Sequence, residues 1–590
     1  IGYAQICATP GFDGSFDISG QVNTYYPPAA NTILTGGSTS VILAAVPDDV
    51  TFDGGVNTYS PIVNGQKLQI HIGDLLLIIQ MQNASIESSN SNLYGSGSAT
   101  SGPDGLGGTG YTSLGNTGLF EYVVATSDVP ITGGLLTFRG AGVGTGVINT
   151  YLNTNYDPAS ATRGQRTFQV VRAPQYSNVR LTGNIAAPPF NGRVGGIIAF
   201  DVAGTMNFNG QTIDASARGF RGGFSFKVII DFNQPLNPDY ATASTSKIAT
   251  GKGEGIVGSP KNMWDGFVQV INPTEGMPGG ASGLGAAGNG GGGGSAWNAG
   301  GGGGGNGGSG GSGGDDEAQT RGRPGSITCS GVPTPTRLIM GGGGGAGHVD
   351  NAARGDSGGV GGGIILLNVG TITGTGTINC NGGDGQRAGW CGGCPNNDGA
   401  GAGGAGGTVF LKVSTPNPTA VLTINAKGGR GGTTANFHGT GGGGGGGLVF
   451  YSTGATSSTV NTSVVGGAAG TDTDNSTGGA QGGQVGKALT FTISSLPLYL
   501  QGGGTICFPE LSTTLSEANA GTPGTRMPGA SVTYTLTISN KAGVGGAAGV
   551  LAELSLPLGI SYQSVSVAYT GGTGGDSSLS VTTNQGTLSK

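Results

Sequence analysis

The chain has 590 residues, 130 of them glycine, with 35% apolar and only 9% charged residues. So low a charged fraction lacks the compositional mark of a disordered chain. The net charge of −6 is thinly spread, without the basic stripe that binding to nucleic acid or an anionic membrane needs. No run approaches the roughly 18–20 apolar residues of a membrane span.

Gly2-Tyr3-Ala4, ahead of Gln5, has the small-x-small form of a secretory cleavage site. An extracellular or cell-surface location, reached through a cleaved signal peptide, is therefore expected. Residues 1–190 alternate apolar and polar residues in short runs broken by Gly, Asn, Pro and Asp, as at 40–44, 67–72, 120–124, 135–138 and 167–172. Period-two patterning with β-branched residues predicts strands, arranged as a β-sandwich-like head. The run after Gly73 is apolar throughout and predicts a central strand buried on both faces.

A repeat begins near Arg193 and organises residues 191–505. Gly195-Gly-Ile-Ile-Ala-Phe-Asp-Val is answered by Gly361-Gly-Gly-Ile-Ile-Leu-Leu-Asn-Val, by Gly406-Gly-Thr-Val-Phe-Leu-Lys-Val and, more weakly, by Gly447-Leu-Val-Phe-Tyr. Each is followed by a second short apolar run and a glycine-rich excursion. One unit cannot bury its own apolar face, so the units must stack, which predicts a parallel β-solenoid. Unbroken glycine runs occur at 290–294, 300–305, 341–345 and 441–447. A collagen triple helix needs glycine at every third residue, and a flexible linker has no use for the apolar strings. Glycine without a Cβ instead permits close backbone approach, so a bundle of polyglycine II-type helices is expected. Two inserts, 227–279 with Tyr240, Trp264 and Phe267 and 315–340 with Arg321, Arg323 and Cys329, decorate this body.

From 511 to 590 the pattern changes to an Ig-like β-sandwich signal. Gly529-Ala-Ser-Val-Thr-Tyr-Thr-Leu-Thr-Ile-Ser-Asn, followed by Leu556-Pro-Leu-Gly-Ile, resembles the conserved surface repeat known as domain-of-unknown-function family eleven. Ser555 replaces the acidic residue usual before the Leu-Pro, and an insert at 541–549 follows the Asn. The front half is similar to the N-terminal part of large bacterial surface proteins, through Cys7-Ala-Thr-Pro-Gly-Phe-Asp-Gly, the run 73–81, Phe168-Gln-Val-Val-Arg-Ala-Pro-Gln-Tyr and Gly219-Phe-Arg-Gly-Gly. These resemblances imply a secreted or wall-attached protein and supply no activity.

Six cysteines, an even count in an exported chain, suggest structural disulfides. Cys329, Cys380, Cys391 and Cys394 form one set, with a zinc site as the alternative, which leaves Cys7 and Cys507 for each other. Trp390-Cys-Gly-Gly-Cys-Pro has the spacing of a thioredoxin loop but no helix to lower a thiol pKa, so redox chemistry is set aside. Only three histidines occur, none in a nucleophile–base context. The one acidic cluster, Asp315-Asp316-Glu317, lies in an insert and reads as solvated charge. Asp472, Asp474 and Asn475, and separately Asp398, offer oxygen ligands to Ca²⁺. No other cofactor is implied. Trp264, Trp297 and Trp390 are candidates for stacking on sugar rings. A structural or adhesive surface protein without catalysis is expected, forming a stalk or a filament with copies of itself and contacting surface glycans. The alternatives are a carbohydrate-active solenoid enzyme or glycan-binding module and, on the alternating threonines at 371–377, ice binding.

Overall fold

The computed structural model describes residues 10–47, 66–226, 239–243, 245–246, 248–314, 320–329, 331–349, 356–388, 398–434, 438–453, 459–497 and 500, with short strands between 51 and 63 and between 511 and 589. The chain divides into two compact units: Ala8–Ile506, and Cys507–Lys590 with Ile1–Cys7. Both are all-β; among the described residues helix is limited to short 3-10 turns such as Val143–Thr145 and Ile493–Ser495.

Residues 24–172 supply a six-stranded antiparallel sheet in the order Thr24–Tyr26, Thr167–Arg172, Leu75–Gln82, Phe120–Ala125, Gly134–Arg139, Ser40–Leu43. Leu75–Gln82 is buried along its whole length, as its unbroken apolar run predicts. Leu76 and Ile78 face a core with Val123, Phe138, Phe168 and Val170. The opposite face meets the second sheet, where the Phe120 and Phe410 rings lie 6.4 Å apart.

That second sheet has eleven strands and is parallel throughout. It runs Thr459–Ser463, Val421–Asn425, Thr375–Asn379, Thr212–Asp214, Gln175–Ala186, Ile197–Asn207, Ile364–Thr373, Thr408–Val413, Leu448–Ser452, Lys487–Phe491, with Gly14–Gly20 beside Gln175–Ala186. Its first strands thus come from within residues 1–190. The sheet folds over so that two columns of strands face one core. Ile198, Ile365, Val409 and Val449 are in register down the first column, and Ile185, Ile213, Ile378 and Ile424 down the second. All eight lie in a single apolar cluster. Burying each such side chain contributes about 1.5–3 kcal/mol relative to exposure. Outward residues of the first column, among them Leu366, Phe410 and Phe450, are buried as well. Cover on both faces explains why these strands read as continuous apolar runs.

The glycine runs pack beside this ladder and bond to one another through the backbone. Along 300–305 successive amides donate to three different neighbours in turn. Gly300 and Gly303 donate to Gly314 and Gly311, Gly301 and Gly304 to Ala400 and Gly403, and Gly302 and Gly305 to Gly292 and Asn289, all at 2.8–3.0 Å. The same three-residue period recurs along 441–446, toward Gly432 and Gly429, Gly301 and Gly304, and Gln481 and Gln484. Glycine is needed here for space, because none of these residues has a positive φ. A Cβ built on Gly303 would overlap the carbonyl of Gly443.

In the other unit, Leu511–Ala518 pairs antiparallel with Thr533–Asn540 and Glu553–Ser555 with Thr587–Ser589.

Candidate functional site

Each of the residues singled out by sequence has a definite place. Trp264 lies on a hairpin, Asn262–Trp264 with Gln269–Ile271, and stacks on Phe224 with ring centroids 6.5 Å apart. The Asp265 carboxylate closes the turn, accepting the Phe267 and Val268 amides at 2.8 Å. This leaves Phe267, Val268 and Ile271 exposed at 44%, 50% and 61%. Trp297 is half exposed at the edge of the glycine bundle, where it and Asn298 both take positive φ. Trp390 lies outside the described residues.

Asp472 uses its carboxylate locally. Its Oδ1 accepts the amides of Asp474 at 2.9 Å and Ser476 at 2.8 Å, across a turn in which Asn475 has φ 60°. Asp398 is buried, and its charge acts on the His348 imidazole. Among the described residues no group of three or more His, Cys, Asp or Glu side chains is placed to hold a metal ion.

Of the six candidate cysteines, Cys329 and Cys380 are described, and neither is joined to another cysteine among the described residues. Cys380 follows Ile378 on the core side of the second column and is wholly buried, its Sγ 3.8 Å from the Thr408 carbonyl. Enclosure by that core pushes its thiol pKa well up. Cys329 instead lines a cavity of about 300 Å³ with Tyr111, Leu114, Val332, Arg337 and Ile339. The Arg337 guanidinium beside it is engaged, donating to the carbonyls of Gly115 at 2.9 Å and Thr117 at 2.6 Å. Cys7, Cys391, Cys394 and Cys507 lie outside the described residues.

Several buried polar groups escaped the sequence reading. Arg221 and Glu254 form an almost wholly enclosed ion pair at 2.8 Å, and Ser259 also donates to the Glu254 carboxylate. Arg172 bridges Asp74 at 2.7 Å and Asp13 at 2.8 Å. Lys252 is enclosed, donating to the Tyr240 carbonyl at 2.7 Å with its ammonium 3.7 Å from the Tyr94 ring centroid. Burial lowers the Lys252 pKa well below its usual range and raises that of Glu275 to about 7. These groups partner one another within the packing and are not gathered around the open cavity. Asp201, Asn368 and Lys412 stand in register on the outer face of the first column, where Asn368 donates to Asp201 at 2.8 Å and to Tyr122 of the antiparallel sheet at 3.3 Å. The signal for these three was present, as one polar residue at the same place in three successive repeats.

The ends of the parallel ladder are the remaining feature. At one end, Thr459–Ser463 and Lys487–Phe491 each pair on one side only among the described strands, and so does Gly14–Gly20 at the other. Near the far end Val465 and Val485 are 49% and 63% exposed. The first column is closed at its near end by one side chain and a short backbone pairing: the Asn23 amide donates to the Ala199 carbonyl at 2.5 Å and accepts the Ala199 amide at 3.0 Å, and Gln175 and Tyr176 lie beside Asp201 and Val202.

Comparison with family models, curated proteins and solved structures returns no match. No helix among the described residues is long and apolar enough to cross a membrane.

Proposed function

We propose that this chain is an extracellular structural or adhesive protein, a stalk or filament subunit that acts through multivalent contact and carries out no catalysis. The observation that supports this reading is the glycine body. Chain segments far apart in sequence are tied together by backbone hydrogen bonds with a three-residue period. That is the period of a threefold extended helix, which makes no bonds within itself and must find them in its neighbours. We read the parallel ladder as a β-solenoid carrying a polyglycine II-type bundle, and the antiparallel sheet as a sandwich-like head. Residues 511–590 are read as an Ig-like repeat of the family-eleven kind, which with the expected signal cleavage favours the cell surface.

Such a body is dense, thinly charged and made stiff by its main chain, properties suited to bearing force and of little use to catalysis. Electron microscopy of native protein recovered from the cell surface or medium tests the reading. Rods or filaments are expected, whereas compact particles retained inside the cell overturn it. The exposed Phe267, Val268 and Ile271 beside Trp264 favour glycan contact as a second role, which binding of the intact protein to a glycan array checks.

A further inference from the structure

We infer that the two open ends of the parallel ladder are the two halves of one joint, by which a second copy of this chain adds head to tail. The inference rests on the filament form of the proposed function.

The ends are stepped in opposite senses. At the far end, among the described strands, the first column carries one extra strand, Lys487–Phe491, beyond the level of Thr459–Ser463, the last of the second column. At the near end Gln175–Ala186 and Gly14–Gly20 run from the last residues of the first column, where Gln175 and Tyr176 lie beside Asp201 and Val202, across to the second, where Gly20 and Ile185 project beyond Ile213, while Asn23 seals the first column at Ala199. A projecting second column can therefore lap onto a recessed one. Strand direction agrees, because every pairing in the sheet is parallel. The Gly20 end of Gly14–Gly20 in one copy, level with Thr462, would lie beside Thr459–Ser463 of another as a further rung. Such a joint is heterologous, using different surfaces on the two copies, and so it propagates.

Three observations favour a second copy as the occupant. First, the new contact continues an established one: Gly20 stands level with Ile185, Ile213, Ile378, Ile424 and Thr462 along the second column. Second, the core loosens into half-buried apolar residues at the two ends, Phe16 at the near end and Tyr451, Val460, Val464 and Ala488 at the far one. Monomeric solenoids close such ends with polar caps. Edge strands meant to stay single carry charge or proline; Thr459–Ser463 has neither, and the one charge on Gly14–Gly20, Asp17, is paired with Arg180 of the neighbouring strand at 3.7 Å. The Lys487 ammonium is already held by the Gly331 carbonyl at 2.7 Å. Third, the chain leaving the far end heads inward. Phe491 stacks on Phe410, two strands back from the edge, with ring centroids 5.1 Å apart, and Leu496 and Leu500 are buried.

The test is a pair of cysteines, Ser19→Cys with Asn461→Cys, both at exposed positions. Within one copy four strands separate them, roughly 24 Å at the usual strand spacing, too far for a disulfide. Mild oxidation of the full-length double variant is expected to give a ladder of dimers, trimers and longer species on a non-reducing gel, collapsing with reductant. Each single variant should match the wild type. No ladder from a double variant that keeps the wild-type thermal transition overturns the joint, including the case in which the chain's own C-terminal residues cover the edge. Microscopy of the same sample separates the two claims. Filaments without a ladder overturn only this joint, and single particles without a ladder overturn the filament form as well.

Discussion

His348 is the residue at which burial and hydrogen bonding act most plainly together. Its ring is enclosed in the glycine body, and its Nδ1 accepts the Asn298 amide at 3.3 Å, which requires that nitrogen to be unprotonated. Desolvation lowers its pKa to about 4, against a smaller opposing effect of the Asp398 charge. A depressed histidine contributes stability that is fully present above the unfolded-state pKa of about 6.5 and is lost as pH falls toward the folded value. The lost contribution is on the order of 3 kcal/mol. Urea midpoints should fall as pH drops from about 6.5 to about 4, and His348→Gln should flatten that slope. An unchanged slope in the variant assigns the acid sensitivity elsewhere. None of this was legible in the sequence, where His348 is one histidine in a glycine-rich run. Its burial depends on segments near 299 and 398 that only the fold brings together.

At the scale of elements, the repeat was legible because in-register parallel stacking leaves an imprint. Ile197, Ile364, Thr408 and Leu448 are level with one another, and each opens a mostly apolar run. The closure by Asn23 was not legible, since a single side-chain amide standing in for a strand has no period. Nor was the enclosure of Cys380, because an even cysteine count says nothing about which thiols a core will surround. The glycine runs were legible as close-approach elements, and their period of three gives a sharp expectation. Gly303→Ala drives a Cβ into the Gly443 carbonyl, and the obstruction is backbone that cannot rotate away. Overpacking of this kind costs about 1–3 kcal/mol. Gly482→Ala is the control, because its Cβ would meet nothing closer than 3.3 Å and its φ is not positive. Thermal melts should show Gly303→Ala lowered and Gly482→Ala unchanged or slightly raised. Equal effects would mean that lack of space for a Cβ is not what requires glycine at Gly303.

For the molecule as a whole, the question is how a body so rich in glycine is ordered when ordering each glycine is so unfavourable. Two features meet that cost together. The apolar cluster between the strand columns fixes the rungs, and the glycine excursions that follow Thr375–Asn379, Val421–Asn425 and Thr459–Ser463 each start and end on a rung, so their ends are already placed. The excursions then bond to one another in three directions, so opening one segment breaks bonds to several others at once. Stability should therefore be shared across the bundle and not confined to the apolar strands. Hydrogen exchange reads this directly, since loops that open locally exchange fast while amides released only by global unfolding exchange slowest. Amides of 300–305 and 441–446 should exchange as slowly as those of Ile364–Thr373, and should lose protection at the same denaturant concentration. Fast exchange of the glycine amides beside slow exchange of the strands would reduce the bundle to a loose ornament on the ladder. Matched protection would make it the larger part of one cooperative body, as the proposed stalk or filament role requires.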